Sequence, residues 1–174
     1  MAGLAAQGRR GRAIAALCAL ALLAACQRHS EEEARTLAAG WFDLGETLAF
    51  ESRSACTAAV FRVKSGAVKS RLPLFDSAEA VLASGRQDGP FALSVTGKTA
   101  DQLFIDLMNA HRPTGVAIQA VGLSARPCMD DRVKQAFFSA LNADPSVVVF
   151  SRGDSAFAVL DPVRALAVFT GGDM

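Results

Sequence analysis

Histidine is almost absent from this chain, with 2 residues in 174, and cysteine is scarce at 4. Zinc sites need three or four nitrogen or sulfur ligands at recurring spacings, and calcium sites need clustered acids. Two histidines and scattered carboxylates supply neither, so no metal or other cofactor is expected. No C-x-x-C occurs, which removes the common thiol redox motif. Neither G-x-S-x-G nor S-x-x-K occurs, so the sequence offers no familiar serine nucleophile. An excess of one charge is also missing. With 18 Lys and Arg against 17 Asp and Glu, nothing in the net charge would attract nucleic acid or an acidic surface. No repeat or low-complexity tract divides the chain. The apolar run from Ala13 to Ala25 is too short for a membrane-spanning helix, which takes about 20 residues.

That run has another use. Arg9, Arg10 and Arg12 precede it and small residues close it, which is the three-part layout of an export signal. Its ending, Leu23-Ala24-Ala25-Cys26, resembles the lipobox of bacterial lipoproteins. The resemblance reaches only as far as Cys26, and the family of the mature domain is not recognised. It implies cleavage before Cys26, a diacylglyceryl group on the Cys26 thiol and an acyl chain such as palmitate on the new amine. Cys18 follows bulky Leu17 and has little apolar chain upstream, so it fits worse. Residues 1–25 are then a cleaved signal peptide, 26–29 a lipidated tether and 30–174 one periplasmic domain. Gln27 rather than Asp after the cysteine implies the outer membrane. One acyl chain holds a protein marginally and two or more hold it stably, so the implied partner is the bilayer, with room for a second partner among envelope proteins.

The address decides how the remaining cysteines are read. With Cys18 discarded and Cys26 acylated, Cys56 and Cys128 are left in an oxidising compartment, where two thiols tend to pair. A bond across so long a loop stabilises by roughly 4 kcal/mol in the chain-entropy model. The competing reading, a redox pair or metal ligands, lacks the spacing and the histidines. Losing three arginines with the signal leaves the mature chain slightly acidic, and its length suits one domain with a real core.

In the mature chain, Ser30 with Glu33 forms a capping box, and Ala34, Leu37, Ala38 and Trp41 share a face, predicting a helix from about Glu31 to Ala39. Gln27 to His29 then form a tether reaching roughly 10 Å. Trp41 and Phe42 read as core rather than as membrane-dipping. Thr47 to Glu51 and Thr57 to Val63 predict an antiparallel pair around the Ser52-Arg53-Ser54 turn. Val63 to Leu74, with Lys64, Lys69 and Arg71, reads as a solvated loop. Asp76 with Glu79 predicts a short helix before Gly85, and Gln87 to Pro90 a turn. Thr99 with Gln102 opens a helix carrying Leu103, Phe104, Leu107 and Met108 to about Ala110, interrupted by Arg112-Pro113. Val116 to Leu123 is open between helix and strand, leaning to helix. Asp130 caps a further helix with Val133, Phe137, Ala140 and Leu141 inward. Val147 to Phe150 and Ala156 to Leu160 predict a hairpin, and Asp161-Pro162 a helix start; the tail is open between helix and strand. Together these give an α+β domain, an antiparallel sheet of about four strands packed on one face by three to four helices.

Three motifs invite functional readings. Ala92 to Thr99 matches the loose phosphate-loop pattern, but Leu93 to Val95 read as the strand itself where a glycine-rich loop is needed, and a periplasm lacks ATP. No nucleotide is expected. Arg152-Gly153-Asp154 looks like an integrin ligand, yet its plain reading is the hairpin turn. His111, near Asp106, ends a helix, where a histidine commonly caps carbonyls. Two function classes follow. One is a non-enzymatic binding or accessory lipoprotein. The other is a small periplasmic hydrolase using His111 with a serine and an acid.

Overall fold

The computed structural model describes residues 28–174; the expected signal peptide (1–25), Cys26 with its expected lipidation, and Gln27 lie outside the described residues. The elements in chain order are α1 (Glu31–Trp41), β1 (Phe42–Ser52), β2 (Cys56–Val68), β3 (Leu74–Phe75), α2 (Ala78–Ala83), β4 (Phe91–Leu93), α3 (Ala100–Ala110) and α4 (Arg112–Ser124). A 3-10 turn (Arg126–Cys128), α5 (Asp131–Leu141), β5 (Val147–Ser151), β6 (Ala156–Asp161) and β7 (Leu166–Gly172) complete them.

The strands form one sheet of 7 in the order β1-β2-β7-β6-β5-β4-β3. The class remains α+β, but the expected sheet of about four antiparallel strands is corrected in three ways. Seven strands take part, five α-helices accompany them, and the β3–β4 pair is parallel. The sheet is also covered on both faces. Phe157, Val159, Val148, Phe150 and Val168 belong to one core, and Ala158, Leu160, Val149, Ala167 and Phe169 to the other. Side chains alternate along a strand, so runs such as Val147 to Phe150 that are apolar at every position must be buried twice. Helices α2 to α5 cover the first face, while α1 brings Ala34, Ala38 and Trp41 to the second.

Several local expectations change with this. Strand β1 starts at Phe42, directly after α1, and bends through three register shifts against β2; bulges of this kind let a long strand curl. Strand β2 runs on to Val68, into the expected loop. Ser77, not Asp76, caps α2, its hydroxyl accepting from the Ala80 N–H at 3.2 Å. As expected, α3 ends at Ala110; Pro113 sits in the first turn of the next helix, α4, where its missing N–H costs nothing.

Asp161-Pro162 starts no helix. Asp161 Oδ1 accepts from the N–H groups of Val163 and Arg164 at 3.1 and 3.0 Å, which also describes an Asx turn. The chain then continues as β7, paired with both β6 and β2. The first hydrogen bonds of a helix cap and of this turn are alike. Burial of Ala167, Val168 and Phe169 between two strands and two cores selects the strand.

Cys56 and Cys128 are joined by a disulfide, with Cα atoms 6.0 Å apart and a sequence separation of 72. Both residues are buried. The bond ties the start of β2 to the chain just before α5, so the entry to that helix is fixed against the sheet.

Candidate functional site

On the helical face, Phe157 of β6 is buried between two aromatic rings. Phe104 of α3 stands edge to face at 5.0 Å between centroids and Phe137 of α5 at 6.1 Å. Above this floor the helices leave a cleft of about 580 Å³, inside the range of roughly 300–1,000 Å³ usual for small-molecule sites. Met108, Ile118, Met129 and Leu141 also line it. Ile105, Leu123 and Phe138 stand at its edges with 54%, 55% and 62% of their surface exposed.

The cleft exists because α3 and α4 meet at one end and part at the other. A single residue, His111, caps the end of α3 and the start of α4. Close to that elbow, a Cβ on Gly115 would lie 2.6 Å from Met108 Cα, whereas a Cβ on Gly122, two turns on, would meet nothing within 4 Å. Only glycine permits the first contact, and the second position opens on space. Helix α5 closes the opposite side with two adjacent aromatics. Residues one apart on a helix point about 100° apart, so Phe137 turns to the floor and Phe138 to the edge.

The polar residues that line the cleft, Asp101, Asn109, Gln119, Arg126 and Lys134, are all exposed. Lys134 pairs with Asp131 at 3.4 Å. Arg126 makes no ion pair among the described residues. The sequence had grouped Phe104 and Met108 with Leu103 and Leu107 as one inward stripe. Leu103 and Leu107 are fully buried, while Phe104 and Met108 face the cleft. Exposed Ile105 and Phe138 carried no signal of their own.

The residues with tempting chemistry lie elsewhere. His111 Nδ1 bonds the hydroxyl of Thr114 at 2.9 Å, not a serine, and His111 does not line the cleft. Lys98 turns onto Asp106 at 2.5 Å, so its ammonium is engaged within the chain. Arg152 of the hairpin turn reaches Asp88 at 2.5 Å, and Asp154 accepts from the Ser151 hydroxyl at 2.6 Å.

A histidine read as tether proves to be part of the body. His29 Nδ1 lies 3.1 Å from the Thr57 hydroxyl, which lies 2.9 Å from that of Ser52. Burial, then the neighbouring Arg28 guanidinium, hold its ring below the ordinary histidine pKa, against the opposing pull of Glu33 and Asp154. Arg28 and His29, two of the three residues expected to form a tether, therefore belong to the folded chain. The capping box on α1 is complete, with Ser30 N–H on the Glu33 carboxylate at 2.7 Å. Those hydrogen bonds from Ser30 lower the Glu33 pKa.

Among the described residues there is no group of three or more potential metal ligands, and no helix long and apolar enough to cross a membrane. No protein-family model, no curated protein and no solved structure matches this chain.

Proposed function

We propose that the protein is a lipid-anchored bacterial envelope protein whose single domain works by binding, not by catalysis. Its acylated Cys26 holds it at the outer membrane, facing the periplasm, and the cleft between α3, α4 and α5 is its working surface. The observation that carries the binding half is the cleft itself: an apolar floor of three phenylalanines left open, with Ile105, Leu123 and Phe138 exposed at its edges. A domain that only needed to fold would gain by closing it, because each exposed large apolar side chain forgoes about 1.5–3 kcal/mol of burial. The anchoring half rests on Leu23-Ala24-Ala25-Cys26 after a basic head and an apolar middle. Its occupant is an apolar ligand or an apolar segment of another envelope protein.

Two measurements test the two halves separately. Mass spectrometry of the membrane-extracted protein is expected to find an amino terminus at Cys26 carrying diacylglyceryl and N-acyl groups; an unmodified chain retaining residues 1–25 overturns the anchor. An environment-sensitive apolar dye is expected to bind the domain lacking acyl chains and to lose at least tenfold in affinity in Phe138→Asp. Unchanged affinity overturns the cleft as the binding surface.

A further inference from the structure

We infer that the cleft takes a long-chain fatty acid, with the hydrocarbon tail along the aromatic floor and the carboxylate at Arg126; the inference rests on the binding reading above and names the class of ligand. The order of residues along the three helices carries it. On α4, Gly115, Ile118, Gln119, Gly122 and Leu123 line the cleft, a spacing of three and four that keeps one face of the helix on it for about 12 Å. Arg126, three positions on, ends that row. Asp101 begins the row on α3 that Phe104 and Met108 continue, and Lys134 begins the row on α5 that Phe137 and Leu141 continue. Helices α3 and α4 diverge from His111, so Asp101 and Arg126 both stand at the end away from the elbow. Lys134 joins them there, because the Met129 N–H folds back onto the Arg126 carbonyl at 3.1 Å and α5 starts at Asp131. The charge of the lining is thus gathered at one end, and the elbow end has none.

A groove charged at one end and apolar along its length fits a molecule built the same way. Among the lining residues two cations face one acid, so the charged end favours an anion. Arg126 is the free cation, with no ion pair among the described residues, whereas Lys134 is shared with Asp131 at 3.4 Å. The other acid at the start of α5, Asp130, is engaged as its cap and accepts from the Val133 N–H at 2.7 Å. A guanidinium takes a carboxylate through two parallel hydrogen bonds, and a single carboxylate answers the excess of one positive charge. The remainder of the ligand has to be hydrocarbon. A peptide segment would bring an N–H and a C=O at every residue, each costly to bury unpaired, and the floor of Phe104, Phe137 and Phe157 offers them no partner. An unbranched chain brings none. Met108 and Met129 also line the cleft, and methionine side chains re-form around ligands without a fixed shape.

The test uses the full-length protein in a detergent-free cell lysate depleted of ATP, so that an added probe is not esterified. Hexadecanoic acid and hexadecanol, each with a diazirine in the chain, are added separately, and the irradiated protein is digested and read by mass spectrometry. At equal concentration the acid is expected to label peptides of α3, α4 or α5 roughly fivefold more than the alcohol, and unlabelled hexadecanoate to compete. Arg126→Gln should remove that preference with an unchanged melting temperature, because the side chain it replaces is exposed. Equal labelling by acid and alcohol overturns the inference, and its loss in Phe138→Asp would leave the apolar cleft standing. Stronger labelling by a lysophosphatidylethanolamine probe with the same tail likewise overturns the fatty acid and leaves the cleft. A preference that survives Arg126→Gln overturns the place given to the carboxylate. Absence of label from all three helices overturns the cleft as well.

Discussion

The ring of Phe104 meets the ring of Phe157 edge to face with centroids 5.0 Å apart, and Phe157 is also held by Phe137 from the other side. One strand residue thus joins two helices that otherwise have few contacts, and its face is the floor of the cleft. Removing it takes away both a core side chain and that junction. Phe157→Ala should cost about 3–5 kcal/mol, measured as a lower urea midpoint with an unchanged slope. A cost under about 1 kcal/mol would show that α3 and α5 do not depend on this ring.

Gly115 is the point where α4 touches α3. In most helices replacing glycine by alanine stabilises by up to about 1 kcal/mol. Here the new Cβ would lie 2.6 Å from Met108 Cα and 2.9 Å from Met108 Cβ, so backbone has to move. Gly115→Ala should therefore destabilise by about 1–3 kcal/mol, while Gly122→Ala on the same helix should not. Equal effects of the two substitutions on thermal midpoint would contradict the close approach.

The bond between Cys56 and Cys128 acts as one unit. Cys56→Ala, Cys128→Ala and the double variant should each lose a similar amount, roughly 4 kcal/mol, in denaturant unfolding under oxidising conditions. Reductant should lower the wild-type midpoint and hardly move the double variant. Additive losses in the two single variants would show that the cysteines contribute separately.

His29 should make stability depend on pH. Burial lowers its pKa in the fold, with Arg28 acting in the same direction, so below the ordinary value of 6.5 the unfolded chain holds more protons than the folded one. Stability is then complete above that pH and falls as pH drops through it toward the lower folded value. Denaturant midpoints taken from about pH 8 down to about pH 5 should show this fall in the wild type and a flatter profile in His29→Gln. Parallel profiles would remove His29 as the cause.

Helix starts were the most legible part of the chain, because their signals are local. Ser30 with Glu33 and Thr99 with Gln102 sit at the expected capping boxes, and Asp130 caps α5. The hairpin of β5 and β6 was equally plain. Strand number was not. Leu74–Phe75 and Phe91–Leu93 are two and three residues long, too short to show a period, and exist only because neighbours offer an edge to pair with. Yet one available sign went unused: strands apolar at every position call for cover on both sheet faces, which a sheet with helices on one side cannot give.

The cleft was not legible in the sequence for a related reason. Phe104, Met108 and Phe137 have the spacing of core residues, and spacing sets only which way a side chain points from its own helix. Whether a second helix fills the space opposite depends on the angle at His111 and the contact at Gly115, both set by distant packing. His29 was likewise misread as tether, because its partners Thr57 and Ser52 are brought to it by the β1–β2 hairpin.

By itself, the order of residues determined the helix caps, the two cysteines free to pair and the expectation of an acylated Cys26, since each depends on neighbours within a few positions or on simple counting. Tertiary structure alone decided that Asp161-Pro162 turns into a strand, that both sheet faces are buried and that three helices leave an apolar cleft. Those outcomes hang on contacts between segments far apart in the chain, where local preference, worth about 1 kcal/mol or less per residue, yields to burial of whole side chains.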